Sequence, residues 1–94
     1  MIYDLEFITL AKKEWDSLDN TIRKQFKKKL IERLKNPKVP KSKLNGIDDC
    51  YKIKLRRPGF RLVYQVKDVE LIVLVVSVGK REKNHVYKQA IKRI

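Results

Sequence analysis

The sequence predicts an α+β domain: a largely antiparallel sheet with an N-terminal strand and a three-strand meander, joined by a two-helix hairpin and a C-terminal helix. Three observations carry this reading. Residues 50–57 and 60–67 alternate apolar and polar side chains with a period of two, the pattern of half-buried strands. Residues 71–78 are apolar at almost every position, which fits a central strand covered on both faces. Residues 21–35 set Ile22, Phe26, Leu30, Ile31 and Leu34 on one helical stripe, with Arg23, Lys24, Lys27, Lys28 and Lys35 facing out. With 94 residues, 1–94 is read as one domain with one core.

The remaining elements follow in order. Residues 2–7 alternate loosely and read as the first strand. Thr9 is placed to cap a short helix in which Ala11, Trp15 and Leu18 recur at helical spacing. Asp19 and Asn20 end that helix and cap the next, and so tight a join predicts an antiparallel pair of helices. Pro37, Pro40 and Gly46 mark residues 36–49 as a loop. Pro58-Gly59 is the turn between the two alternating strands. From about Lys83, the residues Val86, Tyr87, Ala90, Ile91 and Ile94 mark a last, basic helix.

Charge narrows the function. The net charge is +13, and it is unevenly spread. Residues 20–67 hold sixteen Lys/Arg against three acids, whereas residues 1–19 hold two lysines against five acids. Such a field attracts polyanions. Nucleic acid is the first candidate partner, an acidic protein the second, an anionic membrane the third. The membrane reading is weak, because the longest apolar run, Leu71 to Val76, is far short of the roughly 20 residues of a spanning helix. Asp4 and Glu6 interrupt any signal-peptide pattern. A single cysteine, Cys50, excludes an internal disulfide and fits a reducing cytoplasm, and it is read as packing. One Cys and one His do not suit a structural zinc site, and no metal or other cofactor is expected.

The hairpin supplies the candidate site. A turn centred on Pro58 and Gly59 sets Arg56 against Arg61, Lys54 against Val63 and Lys52 against Gln65. Opposed residues share a face, so Lys52, Lys54, Arg56 and Arg61 stand together on the side away from Tyr51, Ile53 and Leu55. Lys54 and Arg61 then become diagonal neighbours, roughly 7–8 Å apart. Like charges grouped this way destabilise a sheet, so removal of Lys54 or Arg61 is expected to leave stability unchanged or raised. Either the face is solvated or it binds an oxyanion. The polar exit of the central strand, Ser77 to Arg81, brings Arg81 to the sheet edge, and Gly79 is read as permitting a sharp turn there. Tyr87 either packs with Ile91 and Ile94 or approaches the same surface.

The stretches Asp49-Cys-Tyr-Lys-Ile-Lys-Leu-Arg56, Gly59-Phe-Arg-Leu-Val-Tyr-Gln-Val66, Ser77-Val-Gly-Lys-Arg-Glu82 and Val86-Tyr87 resemble the RelE toxins of bacterial toxin–antitoxin pairs. So do Lys-Glu-Trp at 13–15 and Lys-Lys-Lys-Leu at 27–30. The resemblance implies an endoribonuclease that cuts mRNA in the A site of the 70S ribosome, without a metal. It also implies a cognate antitoxin protein, with operator DNA reached only through the antitoxin complex. It makes Lys54 the general base, with Lys52 beside it. Arg61 stabilises the phosphorane, Arg81 serves the leaving oxygen, and Tyr87 stacks on or orients the nucleotide. Further RNA or ribosome contacts are assigned to Lys43, Asn45, Arg23, Lys27, Lys28 and Arg56. Asn45 stands where close relatives tend to carry arginine, which shifts weight to Lys43. His85 is read as an exposed helix residue near a fraying end. Two rivals remain: a ParE-like toxin that inhibits DNA gyrase and lacks the Lys52/Lys54/Arg61/Arg81 set, and a non-enzymatic RNA- or ribosome-binding module.

Overall fold

The computed structural model describes residues 2–57, 59–82 and 84–94. Pro58, half of the expected turn, and Lys83, the expected start of the last helix, lie outside the described residues. The elements run β1 (Asp4–Phe7), α1 (Thr9–Asp16), α2 (Asn20–Lys35), a short 3-10 turn (Pro40–Ser42), β2 (Cys50–Leu55), β3 (Phe60–Lys67), β4 (Ile72–Lys80) and α3 (His85–Arg93). They form one four-stranded sheet in the order β1-β4-β3-β2. The apolar run is thus a central strand, as its composition requires. The β2–β3 and β3–β4 pairs are antiparallel, but β1 lies parallel to β4, with Asp4 opposite Ile72 and Phe7 opposite Val75. The sheet is therefore mixed, because the helical pair carries the chain from β1 back across the sheet before the meander begins.

The two faces hold two cores. Ala11 and Trp15 of α1 and Ile22, Phe26 and Leu30 of α2 pack on Tyr51, Ile53, Leu55, Leu62, Tyr64, Val66, Val73, Val75 and Val78. The Trp15 and Phe26 rings, 6.1 Å apart, join the two helices. On the other face Val86 and Ala90 of α3 close over Cys50, Val63 and Val76, with Leu44 from the loop. Burial pushes the Cys50 thiol up to about 11, which suits the packing role expected of it.

Five local expectations are corrected. Thr9 does not cap α1: Ile8 holds the cap position with extended backbone, Thr9 is already helical, and no side chain bonds the free amides. Asp19 does precede α2, but it too makes no side-chain cap bond. Ile31 is 57% exposed, so the inner stripe of α2 is narrower than its apolar residues suggest. Ile91 and Ile94 are likewise exposed, and only Val86 and Ala90 of α3 are buried. Strand β4 begins at Ile72, because Leu71 has a left-handed φ of 57° that ends the preceding turn.

Candidate functional site

The hairpin register differs from the expected one by two residues. Leu55 pairs with Phe60, Lys54 with Arg61, Lys52 with Val63 and Cys50 with Gln65, so the turn is the four residues 56–59. A slip of one would have thrown every side chain to the other face; a slip of two preserves the faces. Lys54 and Arg61 become directly opposed rather than diagonal, which crowds the charges further. Gly59, with a φ of +92°, supplies the left-handed backbone that the longer turn needs.

Arg81 follows β4 directly, and its N–H donates to the Gly59 carbonyl at 2.7 Å. That bond ties the end of the central strand to the hairpin turn. Gly79 does not make a sharp turn: it sits within β4 opposite Arg61. A Cβ there would stand 3.4 Å from Val86 Cγ2, an ordinary contact, so Val86 packs α3 directly over this part of β4. Tyr87 is the next residue along that helix. The Lys52 ammonium stands 5.8 Å from the centre of the Tyr87 ring, in cation–π range. Tyr87 takes both positions: it packs against the core under α3, though not with the exposed Ile91 and Ile94, and its ring borders Lys52. The Tyr87 hydroxyl is buried and has no hydrogen-bond partner among the described residues.

Two depressions are lined by these residues. A small cleft is lined by Arg61, Arg81, Glu82, Asn84, His85 and Tyr87, among others. A basic groove is lined by Lys29, Arg33, Lys41, Ser42, Lys52, Ile53, Lys54 and Arg56. Lys54 faces Arg61 across the ladder and feels the Lys52 and Arg81 charges, and Lys52 reaches the Tyr87 ring, so the five gather along one seam. Among the described residues none of these four cations has a carboxylate within ion-pair distance. The consequence appears at Lys54. Its ammonium is held below the ordinary lysine value, first by the Lys52 charge, then by partial desolvation, then by Arg61, Arg56 and Arg81. A lysine more easily deprotonated than usual, beside three fixed positive charges, can accept a proton next to a bound anion.

The secondary candidates are less uniform. Lys27 and Lys28 are exposed on α2, Lys43 and Asn45 are exposed in the loop, and Arg56 is exposed in the hairpin turn. Arg23 is engaged, its guanidinium donating to the Asp16 carbonyl at 3.0 Å at the end of α1. The residues missed by sequence reasoning are Lys29, Arg33 and Lys41. Lys29 and Arg33 are an i, i+4 pair flanking the inner stripe of α2, and that spacing was the available signal. Arg33 donates to the Lys52 carbonyl at 3.2 Å, to the Tyr64 hydroxyl at 2.9 Å and to the Ser42 hydroxyl at 3.1 Å. It thereby pins the outer edge of β2 to α2 and the loop, at the residue whose side chain reaches Tyr87.

Arg61 is tied down as well. Its guanidinium donates to the Phe60 carbonyl at 3.0 Å and to the Leu55 carbonyl at 3.4 Å, latching the hairpin turn. The expectation that its removal leaves stability unchanged needs revision on this ground. Arg61→Ala is predicted to lose about 0.5–1.5 kcal/mol from those bonds, partly offset by relieved repulsion. Thermal unfolding of Arg61→Ala and Lys54→Ala, measured side by side, checks this: only the Arg61 variant should melt lower.

This fold and cationic site define a class of small toxin: over residues 5–85 the chain matches the family described as ParE toxin of type II toxin–antitoxin system, parDE. Within that class the chain belongs to the RelE toxin family. It is 55% identical over 94 residues, all of this chain and 99% of the relative, to the mRNA interferase toxin RelE of Escherichia coli K12. The identity and coverage are the same against the mRNA interferase RelE of Shigella flexneri. Among solved structures, a variant of E. coli RelE in the free state superposes with a TM-score of 0.92 at 54% identity, covering 100% of this chain and 99% of that one. A RelE variant bound to an antitoxin RelBc peptide superposes at 0.84, with the same identity and coverage.

Proposed function

We propose that this chain is the toxin of a type II toxin–antitoxin pair and an endoribonuclease that cuts mRNA held in the ribosomal A site. The observation that carries the reading is the convergence of Lys52, Lys54, Arg61, Arg81 and Tyr87 at one seam. Four cations there have no carboxylate partner among the described residues, and one of them is a lysine with a lowered proton affinity.

The chemistry follows from what RNA brings. Its 2′-OH can attack the adjacent phosphorus, giving a 2′,3′-cyclic phosphate and releasing the 5′ oxygen. Neutral Lys54 takes the 2′-OH proton as the O–P bond forms. Arg61, fixed at the turn, faces the equatorial oxygens, where negative charge grows in the phosphorane. Arg81 meets the departing 5′ oxygen. Tyr87 stacks on or orients the nucleotide, as aromatic side chains do with unpaired bases. Lys52 lowers the proton affinity of Lys54 and binds phosphate.

The match to the ParE toxin family raises the gyrase-inhibitor rival directly. Against it stand full-length 55% identity to toxins named as mRNA interferases, and the presence of all four cations. A cognate antitoxin in the cytoplasm is part of the reading, as is operator DNA bound only by the toxin–antitoxin complex. Related toxins have been solved with RelB chains. No helix of the described residues is long and apolar enough to cross a membrane.

The ribosome enters because the site offers charge and one aromatic but little to orient a free strand. Orientation must come from the A site, which holds mRNA in fixed geometry. Cleavage of translated mRNA should be phased to codons, with little cutting of naked RNA at physiological salt. Mapping cut sites by primer extension on both substrates tests this, and rapid cutting of naked RNA at the same positions refutes it.

A further inference from the structure

We propose that Glu14 and Arg93, at opposite ends of the chain, form a clamp that positions Tyr87; this rests on the reading of Tyr87 as part of the RNA site. The two are partly withdrawn from solvent, with side-chain exposures of 29% for Glu14 and 12% for Arg93. Arg93 donates from one guanidinium nitrogen to Glu14 Oε1 at 2.8 Å and from the other to Oε2 at 3.1 Å. This is the bidentate fork that makes arginine–carboxylate pairs both strong and directional.

The pair does more than join two helices. Strand β1 pairs with β4 only from Ile72 to Val75, and Ile8 N–H to Val75 O is the last backbone bond along that edge. Beyond it the Val76 carbonyl accepts from Arg93 at 2.8 Å, and the Val78 N–H donates to Glu14 Oε1 at 3.2 Å. The two side chains thus take up the edge of β4 where β1 stops.

Helix α3 has few other restraints. It is nine residues long, a length that is marginal in isolation. It buries only Val86 and Ala90, and no side chain caps its N-terminus, where Asn84 is left-handed. Tyr87 lies near that uncapped start, which the His85–Glu82 backbone bond and buried Val86 hold at one point, while Arg93 lies six residues on, at the other end. Anchoring the C-terminal end fixes the rotation and axial position of the whole short helix. That decides whether the Tyr87 ring faces Lys52. Lys-Glu-Trp at 13–15 divides accordingly: Trp15 packs the core and Glu14 holds the clamp.

The test combines Arg93→Ala and Glu14→Gln, each alone and with Tyr87→Ala, in the full chain. Glu14→Gln keeps an acceptor for the Val78 N–H and removes the charge. In free protein, amide exchange within α3 should quicken about tenfold in both clamp variants, while β2 and β3 keep their protection. Codon-phased cleavage should fall on the order of 10- to 10²-fold in maximal rate, with little change in KM. In the Tyr87→Ala background the same substitutions should cost no more than about twofold. Losses of equal size in both backgrounds, unchanged exchange in α3, or faster exchange throughout the sheet would each overturn the clamp. A wild-type chain that cuts no RNA, with the α3 exchange effect intact, refutes the ribonuclease reading and leaves the clamp standing.

Discussion

Lys54→Ala is expected to lower the rate of mRNA cleavage by about 10²–10⁴-fold, the usual cost of losing a general base, without lowering the thermal midpoint. The two halves of this expectation have one cause. Lys54 is exposed on β2, makes no ion pair among the described residues, and faces Arg61 across the ladder with Lys52 alongside. Its charge is therefore a repulsive one in the folded state. Because its proton affinity is below the ordinary lysine value of 10.5, the folded chain releases that proton before the unfolded chain does. Between the lowered folded value and 10.5 the unfolded state binds more protons, so stability rises with pH across that window. Lys54→Ala should abolish that rise. The kinetic sign is fixed in the same way. A base must be neutral to act, so the rate should climb with pH until Lys54 is deprotonated. Lys52→Ala removes the largest cause of the shift and should move that climb to higher pH. A Lys54→Ala variant that unfolds, or one that keeps full activity, would show the cluster to be structural.

The sequence made the sheet legible because period-two alternation is a local signal. Cys50 to Leu55 and Phe60 to Lys67 declare their inner faces without help from the rest of the chain. It did not make the register legible. A turn centred on Pro58 and Gly59 was plausible chemistry, and the chain uses a four-residue turn instead. The shared face survived the error, since an even slip keeps Lys52, Lys54 and Arg61 on one side of the sheet. Parallel pairing of β1 was out of reach, because four residues carry no mark of their partner across the chain. Lys29, Arg33 and Lys41 were missed for a different reason. Their groove exists only where α2, the 3-10 turn and β2 meet, and no window of sequence contains all three. The exposed Ile31, Ile91 and Ile94 erred the other way: an apolar side chain at helical spacing fits a buried stripe, but only Ile22, Phe26 and Leu30 of α2 and Val86 and Ala90 of α3 are buried. The surroundings of Tyr87 were hidden for the same reason as that groove: Lys52 comes from β2 and the core beneath α3 from the loop, β3 and β4.

The second large effect separates Arg81 from His85 as the group that serves the 5′ oxygen. Both are exposed and both line the small cleft with Arg61 and Tyr87. Arg81 is held by its own backbone bond to Gly59 at the end of the central strand. His85 opens α3, and its N–H bonds the Glu82 carbonyl at 2.7 Å, so its backbone is better fixed than a fraying end would be. Imidazolium is the stronger acid of the two side-chain types, whereas guanidinium acts chiefly through charge. Arg81 nonetheless stands among the cations that act on Lys54, so its charge would be felt by a phosphate bound beside that lysine. Arg81→Ala is therefore expected to lose roughly 10²–10³-fold, in the range of other electrostatic stabilisers, with His85→Ala near wild type. A substrate whose 5′ leaving oxygen is replaced by sulfur departs without a proton and with less need of charge. On that substrate Arg81→Ala should recover most of its lost rate. If His85→Ala is instead the crippled variant and sulfur restores it, the acid is His85 and Arg81 only binds.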